Sequence, residues 1–310
     1  MEFFHKVTRF PFMRTRKVWY GLSAVMILIS AGSLFFRGLN LGVDFTGGVT
    51  VQANFPTEAN RDAVVSALQH AGYADPQVTM FGSPRDIAIR LPPTTLSIEA
   101  VRGQIDPILH NIDSNAQITG AAKIGPQVGA QLLNSAWQAM AATLVMIFGY
   151  IALRFHTWRL SLGAILAVLH DPILVFGVFS LTQTQFDLTV VAAMLAVIGY
   201  SLNDTVVVFD RIRERFHVAR RLDPVAVLDQ SINQTLSRTI MTKVVTLIVV
   251  VALYVIGGPV LKGFSEALII GIVAGTYSSI YISSAVALDC GLKAEHLLAT
   301  VMKKQADDLP

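Results

Sequence analysis

The chain has 310 residues, of which 53% are hydrophobic and only 15% charged, and its formal net charge is +3. Soluble domains carry about 25% charged residues, so this balance excludes an ordinary soluble globule and points to a membrane protein. The single cysteine, Cys290, excludes an intrachain disulfide and a thiolate metal cluster. Basic residues that border apolar runs, rather than lining a soluble face, argue against binding to nucleic acid.

In chain order, residues 1–17 mix bulky and basic side chains ("FFHKVTRFPFMRTRK") and read as a cytoplasmic segment anchored at the membrane interface. An apolar run of about 20 residues can cross a ~30 Å hydrocarbon core as a helix. The first such run, 18–36, is longer than a signal-peptide core and has no small-x-small cleavage site before Arg37, so it reads as an uncleaved anchor.

The segment 37–130 is different in kind. Residues 41–127 carry five Lys/Arg and eight Asp/Glu, against a basic remainder, as expected of a small soluble domain. "VTVQANF" alternates like a strand, and "TEANRDAVVSALQHAGY" reads as a helix opened by Thr57 and closed by Gly72. "PQVTMFG" and "RDIAIRL" suggest a hairpin, "TLSIEAVRGQIDPILHNI" a helix broken near Pro107, and "AQITGAAKIG" a closing strand. The order β-α-β-β-α-β is ferredoxin-like. The domain is entered through "LNLGVDFTGG", where Gly42, Gly47 and Gly48 permit close backbone approach or positive φ and Asp44 can bond local amides. A tight turn that fixes the domain against the membrane explains these residues without a ligand. No Gly-Lys-Ser/Thr follows, which excludes a phosphate loop.

Five further spans fill 131–290, at roughly 133–153, 160–181, 187–209, 239–257 and 266–288. The fold class expected is thus an α-helical polytopic membrane protein with six transmembrane helices and a small α+β extracytoplasmic domain. Arginines crowd the loops on the side of the N-terminus (Arg154 and Arg159; Arg211 to Arg221), whereas the opposite short loops offer only Lys262. Both termini, with the tail 291–310, are therefore expected in the cytoplasm. Gly271 and Gly275 form a small-xxx-small pair suited to close helix packing.

An ionisable group within a span costs several kcal/mol unless it pairs, titrates or meets water. Asp204, in "YSLNDT", lies about 8 Å inside the end of its apolar run. Burial and a neighbouring cation act on its proton affinity in opposite directions, so a small change in access can load or release a proton. Arg238, at the entrance to the fifth span, cannot deprotonate and is a candidate fixed countercharge. Ser201, Asn203 and Thr205 are candidate supporting polar groups. The plainer reading of these residues is a polar clamp between helices. Asp171, after His170, is a further proton-transfer candidate, although Pro172 gives it an alternative task at a kink. Lys243, inside the fifth span, is a further ionisable candidate at membrane depth, with snorkelling toward the cytoplasm as its plainer reading. No nucleophile–base pair, metal-ligand spacing or nucleotide loop points to an enzyme or a bound cofactor.

"LGVDFTGG", "VIGYSLNDTVVVFDRIRERF", "QTLSRTIMT" and "GGPVLKGFSEALIIGIVAGTYSSIYIS", in this order around six spans, resemble the SecD/SecF family of the bacterial protein-export machinery, on its SecF side. The resemblance covers essentially the whole chain. It implies half of an RND-type bundle, completed as a heterodimer by SecD, which associates with the SecYEG channel in the inner membrane. It further implies that the pair uses protons as the coupling ion to move the translocating polypeptide, with Asp204 and Arg238 as proton-transfer elements. An RND-type transporter of small solutes or lipids and a passive scaffold are the competing readings.

Overall fold

The structure is a computed structural model that describes residues 8–73, 76–81, 83–155, 157–218 and 222–297. Lys6, Arg220, Arg221 and most of the tail 291–310 lie outside them. A 3-10 turn, Met13–Thr15, leads into α1 (Arg16–Arg37), and a short α2 (Val43–Thr46) opens the soluble domain. The domain runs β1 (Gly48–Asn54), α3 (Arg61–His70), β2 (Gln77–Phe81), β3 (Ser83–Leu91), α4 (Ile98–Ile112) and β4 (Gln117–Ile124). Then follow α5 (Pro126–Arg154), α6 (Trp158–Thr182), α7 (Leu188–Val218), α8 (Pro224–Ile256), α9 (Gly258–Tyr277), a π-helical turn at Ser278–Ile282, and α10 (Ser283–Asp289).

The four strands lie in the order β2-β3-β1-β4, all antiparallel, which is the expected ferredoxin-like arrangement. Alternation puts Val49, Val51 and Ala53 of β1 and Ile87 and Ile89 of β3 on the face covered by Val64 and Leu68 of α3 and Val101, Ile105 and Leu109 of α4. Two local expectations need correction. The first helix starts after Asn60, not at Thr57, because the Asn60 side chain accepts from the Ala63 amide and caps it. The second is not broken at Pro107, since the buried stripe Val101, Ile105 and Leu109 carries α4 through the proline. Gly72 ends α3 at φ +91°, with Tyr73 N donating to Leu68 O.

Asn54 and Asp86 face each other across β1 and β3, and Asn54 Nδ2 and Ser83 Oγ donate to the Asp86 carboxylate at 2.7 and 2.6 Å. These two bonds hold Asp86 below the usual carboxylate range. A depressed carboxyl contributes stability above its unfolded value and loses it as pH falls through the folded one. Amide-exchange protection of β1 and β3 in the full chain should therefore decline below about pH 4. Asp86→Asn should abolish that part of the pH dependence.

Among the described residues six helices are long and apolar enough to cross a membrane, with the two-part α9–α10 counted as one. The chain is a multi-pass membrane protein. In the most apolar windows of α6, α7 and α9–α10, 61%, 56% and 61% of residues are buried, against 17% in α1, α5 and α8, so the first three form the centre. Small residues set their spacing: a side-chain carbon at Gly163 would strike the Ser283 carbonyl, at Gly271 it would strike Val197, and at Gly177 it would overlap Ser30 of α1.

The junction between domain and bundle is built on the glycine turn. Gly47 and Gly48 have φ of +74° and +147°, and a Cβ on Gly48 would collide with the Leu91 carbonyl oxygen. Helix α5 starts at Pro126, inside the segment expected to be extracytoplasmic, because its first turn belongs to this junction. A Cβ on Gly129 would come within 2.6 Å of the Phe45 carbonyl oxygen. The turn also grips α7. Gly42 N donates to Phe186 O (2.8 Å), and Asp44 Oδ2 accepts from Leu188 N (3.2 Å), beside Asp187, whose Oδ1 accepts from the amides of Thr189 and Val190.

Candidate functional site

Helix α7 is continuous from the glycine turn to the arginine-rich end of the former apolar run, so Asp204 lies about 24 Å along it from Leu188. Helical spacing sends Ser201, Asp204, Thr205 and Val208 to one buried face. Asn203 points elsewhere and is exposed, so it does not line the site as expected.

The partner of Asp204 is Lys243 of α8. Lys243 Nζ lies 2.6 Å from Asp204 Oδ2, and their side chains are 5% and 7% exposed. This corrects the snorkelling expectation: with a carboxylate in reach, the ammonium gains more by pairing in the interior than by stretching toward water. The same Nζ lies 3.9 Å from the centre of the Tyr200 ring. That ring is fixed to α8 through its hydroxyl, 3.1 Å from Thr242 O and 2.8 Å from Thr246 Oγ1. Arg238, the expected countercharge, is exposed, forms no ion pair among the described residues and acts on Asp204 only through its charge at longer range.

Within this chain the pair is bonded to little besides itself and the Tyr200 ring. Neither Asp204 Oδ2 nor Lys243 Nζ has a further hydrogen-bond partner among the described residues, and nor does the buried Thr205 Oγ1 beside them. A buried ion pair adds to stability only when its remaining bonding capacity is filled. Here the carboxylate keeps capacity for a proton, while the ammonium and the hydroxyl keep capacity for water.

One turn before Asp204 a second polar cluster begins. Ser201 Oγ donates to Asp171 Oδ2, as does Ser278 Oγ of the π turn at 3.0 Å, while His170 Nδ1 lies 3.0 Å from Asp171 Oδ1. Asp171 is wholly buried. The network reaches α1 through Ser23 Oγ, 3.2 Å from His170 Nε2 and 2.7 Å from the Tyr277 hydroxyl, which donates to Trp19 O. Both oxygens of Asp171 are therefore engaged by side chains, and no described hydrogen bond of its carboxylate goes to a backbone group freed by Pro172, its alternative task. Gly275 makes room for it, since a Cβ there would approach Ser201 Oγ to 2.9 Å.

The structure thus unites Asp204, Ser201 and Thr205, links Asp171 to them through Ser201, and leaves Arg238 and Asn203 outside. Asp44, Gly42, Gly47 and Gly48 stand at the opposite end of α7. Tyr200 was missed, and Lys243, noted as an ionisable group at membrane depth, was not paired with Asp204. The signal for Lys243 was available in charge balance, as it is the one cation within the apolar part of the span after Asp204. Among the described residues no three His, Cys, Asp or Glu side chains gather as a metal site.

Comparison with known proteins gives a consistent result. Residues 104–293 match the family model of the protein export membrane protein SecD/SecF, C-terminal, and residues 32–55 match that of the SecD/SecF GG motif. A protein translocase subunit SecF of Haemophilus influenzae is 45% identical over 299 residues, covering 96% of this chain and 91% of its own. One of Escherichia coli O157:H7 is 40% identical over 304 residues, covering 97% and 94%. The crystal structure of SecDF, a translocon-associated membrane protein from Thermus thermophilus, superimposes with a TM-score of 0.80 at 35% identity over 91% of this chain. This chain spans 39% of that longer one.

Proposed function

The chain belongs to the SecD/SecF family of protein-export membrane proteins, and on that premise we propose that it serves the Sec machinery by coupling proton movement to late steps of polypeptide transfer. The observation that carries this reading is the buried, under-bonded Asp204–Lys243 pair on a helix fastened at its far end to the outer domain. A proton arriving at Asp204 neutralises the carboxylate and leaves Lys243 buried opposite a neutral group. The attraction that holds α7 to α8 is lost, and an arrangement that gives Lys243 another partner or water becomes favoured. Release of the proton on the other side of the membrane restores the pair. One charge moved through 100 mV supplies ~2.3 kcal/mol, enough to shift a two-state equilibrium by about fifty-fold. Because the Leu188 amide is held by the glycine turn, a shift of α7 is passed to the domain that would meet the emerging polypeptide.

The remaining assignments follow from the same premise. The basic loops support a topology with both termini in the cytoplasm and the sheet domain outside the bacterial cytoplasmic membrane. SecD supplies the second six-helix bundle, in keeping with the greater length of the SecDF relative, and SecYEG is the channel served. Asn203, exposed at membrane depth, offers that partner a hydrogen-bonding group. The role is energy coupling rather than catalysis.

Asp204→Asn tests this, because asparagine copies the protonated carboxyl and cannot release a proton. Proton-gradient-dependent completion of translocation should fall to the level of vesicles lacking the chain, while the variant still co-purifies with its partner. Normal gradient-dependent export by an assembled variant would leave the passive scaffold as the surviving reading.

A further inference from the structure

Two cavities adjoin at the end of the bundle where the N-terminus lies, and Phe10 and Pro11 form a wall of both. They are held there because the segment is strapped to α8: Phe10 N and O exchange hydrogen bonds with the Asn233 side chain (both 2.9 Å), and Met13 N donates to Asp229 Oδ1 (2.8 Å). The first cavity, about 1040 Å³, has a mixed polar and apolar wall that includes Arg9 and Arg215. The one acid on its wall, Asp229, is engaged by the strap. Arg9 is exposed, and Arg215 spends one donor on Gln230 Oε1 (2.6 Å) while its Nε is shut off from solvent with no partner among the described residues.

The second cavity, about 540 Å³, is an almost wholly apolar groove between α1 and α8, floored by Ile240, Leu236 and the stacked rings of Trp19 and Tyr281, 4.3 Å apart. Both helices expose apolar side chains below it, such as Leu22 and Val25 on α1 and Val245 and Ile248 on α8. The groove therefore runs on into the apolar surface of the two helices, and the Trp–Tyr pair on its floor suits the interfacial depth.

From this juxtaposition we propose that the site binds an anionic phospholipid, its phosphate between Arg9 and Arg215 and one acyl chain in the groove beside Trp19. Two guanidinium groups against one acid, itself taken up by the Met13 amide, leave a net positive wall that suits a phosphodiester at the depth where lipid phosphates lie. A bound lipid would brace the N-terminal strap against the start of α8, the helix that carries Lys243.

The test uses the full chain with Trp137→Phe and Trp158→Phe, so that Trp19 alone fluoresces, in nanodiscs containing brominated phosphatidylglycerol or brominated phosphatidylcholine. Quenching should require several-fold less of the anionic lipid. Arg9→Gln with Arg215→Gln should remove that preference, a change on the order of tenfold, whereas the paired Lys substitutions should keep most of it. Arg9 is exposed and Arg215 half-buried, so an unchanged melting temperature is required to confirm folding. Equal quenching by the two lipids, or a preference that survives the double Gln change, would overturn the proposal. So would quenching by neither, which would assign the groove to a protein segment. Inorganic phosphate in solution should not relieve quenching; relief would assign the polar cavity to a free anion and equally refute a lipid site.

Discussion

Lys243→Met is expected to destabilise the helix bundle by about 3–5 kcal/mol, since it leaves a buried carboxylate with no counterion. Asp204→Asn strands Lys243 in the same way, though the amide oxygen and the Tyr200 face soften the loss. The double variant Asp204→Asn, Lys243→Met removes both charges and should regain most of the stability, because a neutral pair of similar volume carries no desolvation cost of ions. It should regain none of the export activity. Thermal unfolding in detergent and gradient-dependent export in vesicles read the two effects separately. A double variant that exports normally would remove the ion pair from the coupling mechanism. Arg238→Gln belongs in the same series. Its side chain is exposed and pairs with no described residue, so its effect on stability should stay within about 0.5 kcal/mol.

The second large effect is expected at the glycine turn. Gly48→Ala forces a side chain into φ +147° and drives its Cβ against the Leu91 carbonyl oxygen. Backbone strain of about 1–3 kcal/mol and overpacking of similar size should add. The β1–β3 pairing must then shift, and with it the contact that carries the domain on the bundle. Gly125→Ala is the control, since a Cβ there meets nothing within 4 Å and its backbone is extended. Amide exchange at β1 and at Leu188 should accelerate together in Gly48→Ala and remain unchanged in Gly125→Ala. Acceleration at β1 alone would show that the turn does not transmit from the domain to α7.

Part of this mechanism was legible in the residues. A membrane interior tolerates only long apolar helices, so the six spans and their order followed from hydropathy alone. The soluble domain followed from its period-2 and helical alternations, and its errors were local: a cap at Asn60 and a proline tolerated in α4. Asp204 stood out because a carboxylate at that depth has few structural excuses. The turn residues 42–48 were recognisable as a turn, but their grip on α7 was not, because the contacts to Phe186 and Leu188 join segments far apart in the chain.

Which cation faces Asp204 was a matter for the tertiary structure. Arg238 and Lys243 are five residues apart on α8, which turns their side chains about 140° from each other, so only one can point at α7. The same rotation separates Asn203 from Asp204 by about 100° and sends it to the outside. In a soluble helix the polar stripe would have revealed the inward face. A transmembrane helix is apolar all round, so hydropathy fixes its depth and direction but leaves its rotation open. Packing of the small residues Gly271 and Gly275 against Val197 and Ser201 sets how α7 and α9 meet, and the seating of α8 beside them brings Lys243 to the carboxylate. The sequence by itself therefore determined where charge enters the membrane. Close packing alone decided which charges meet.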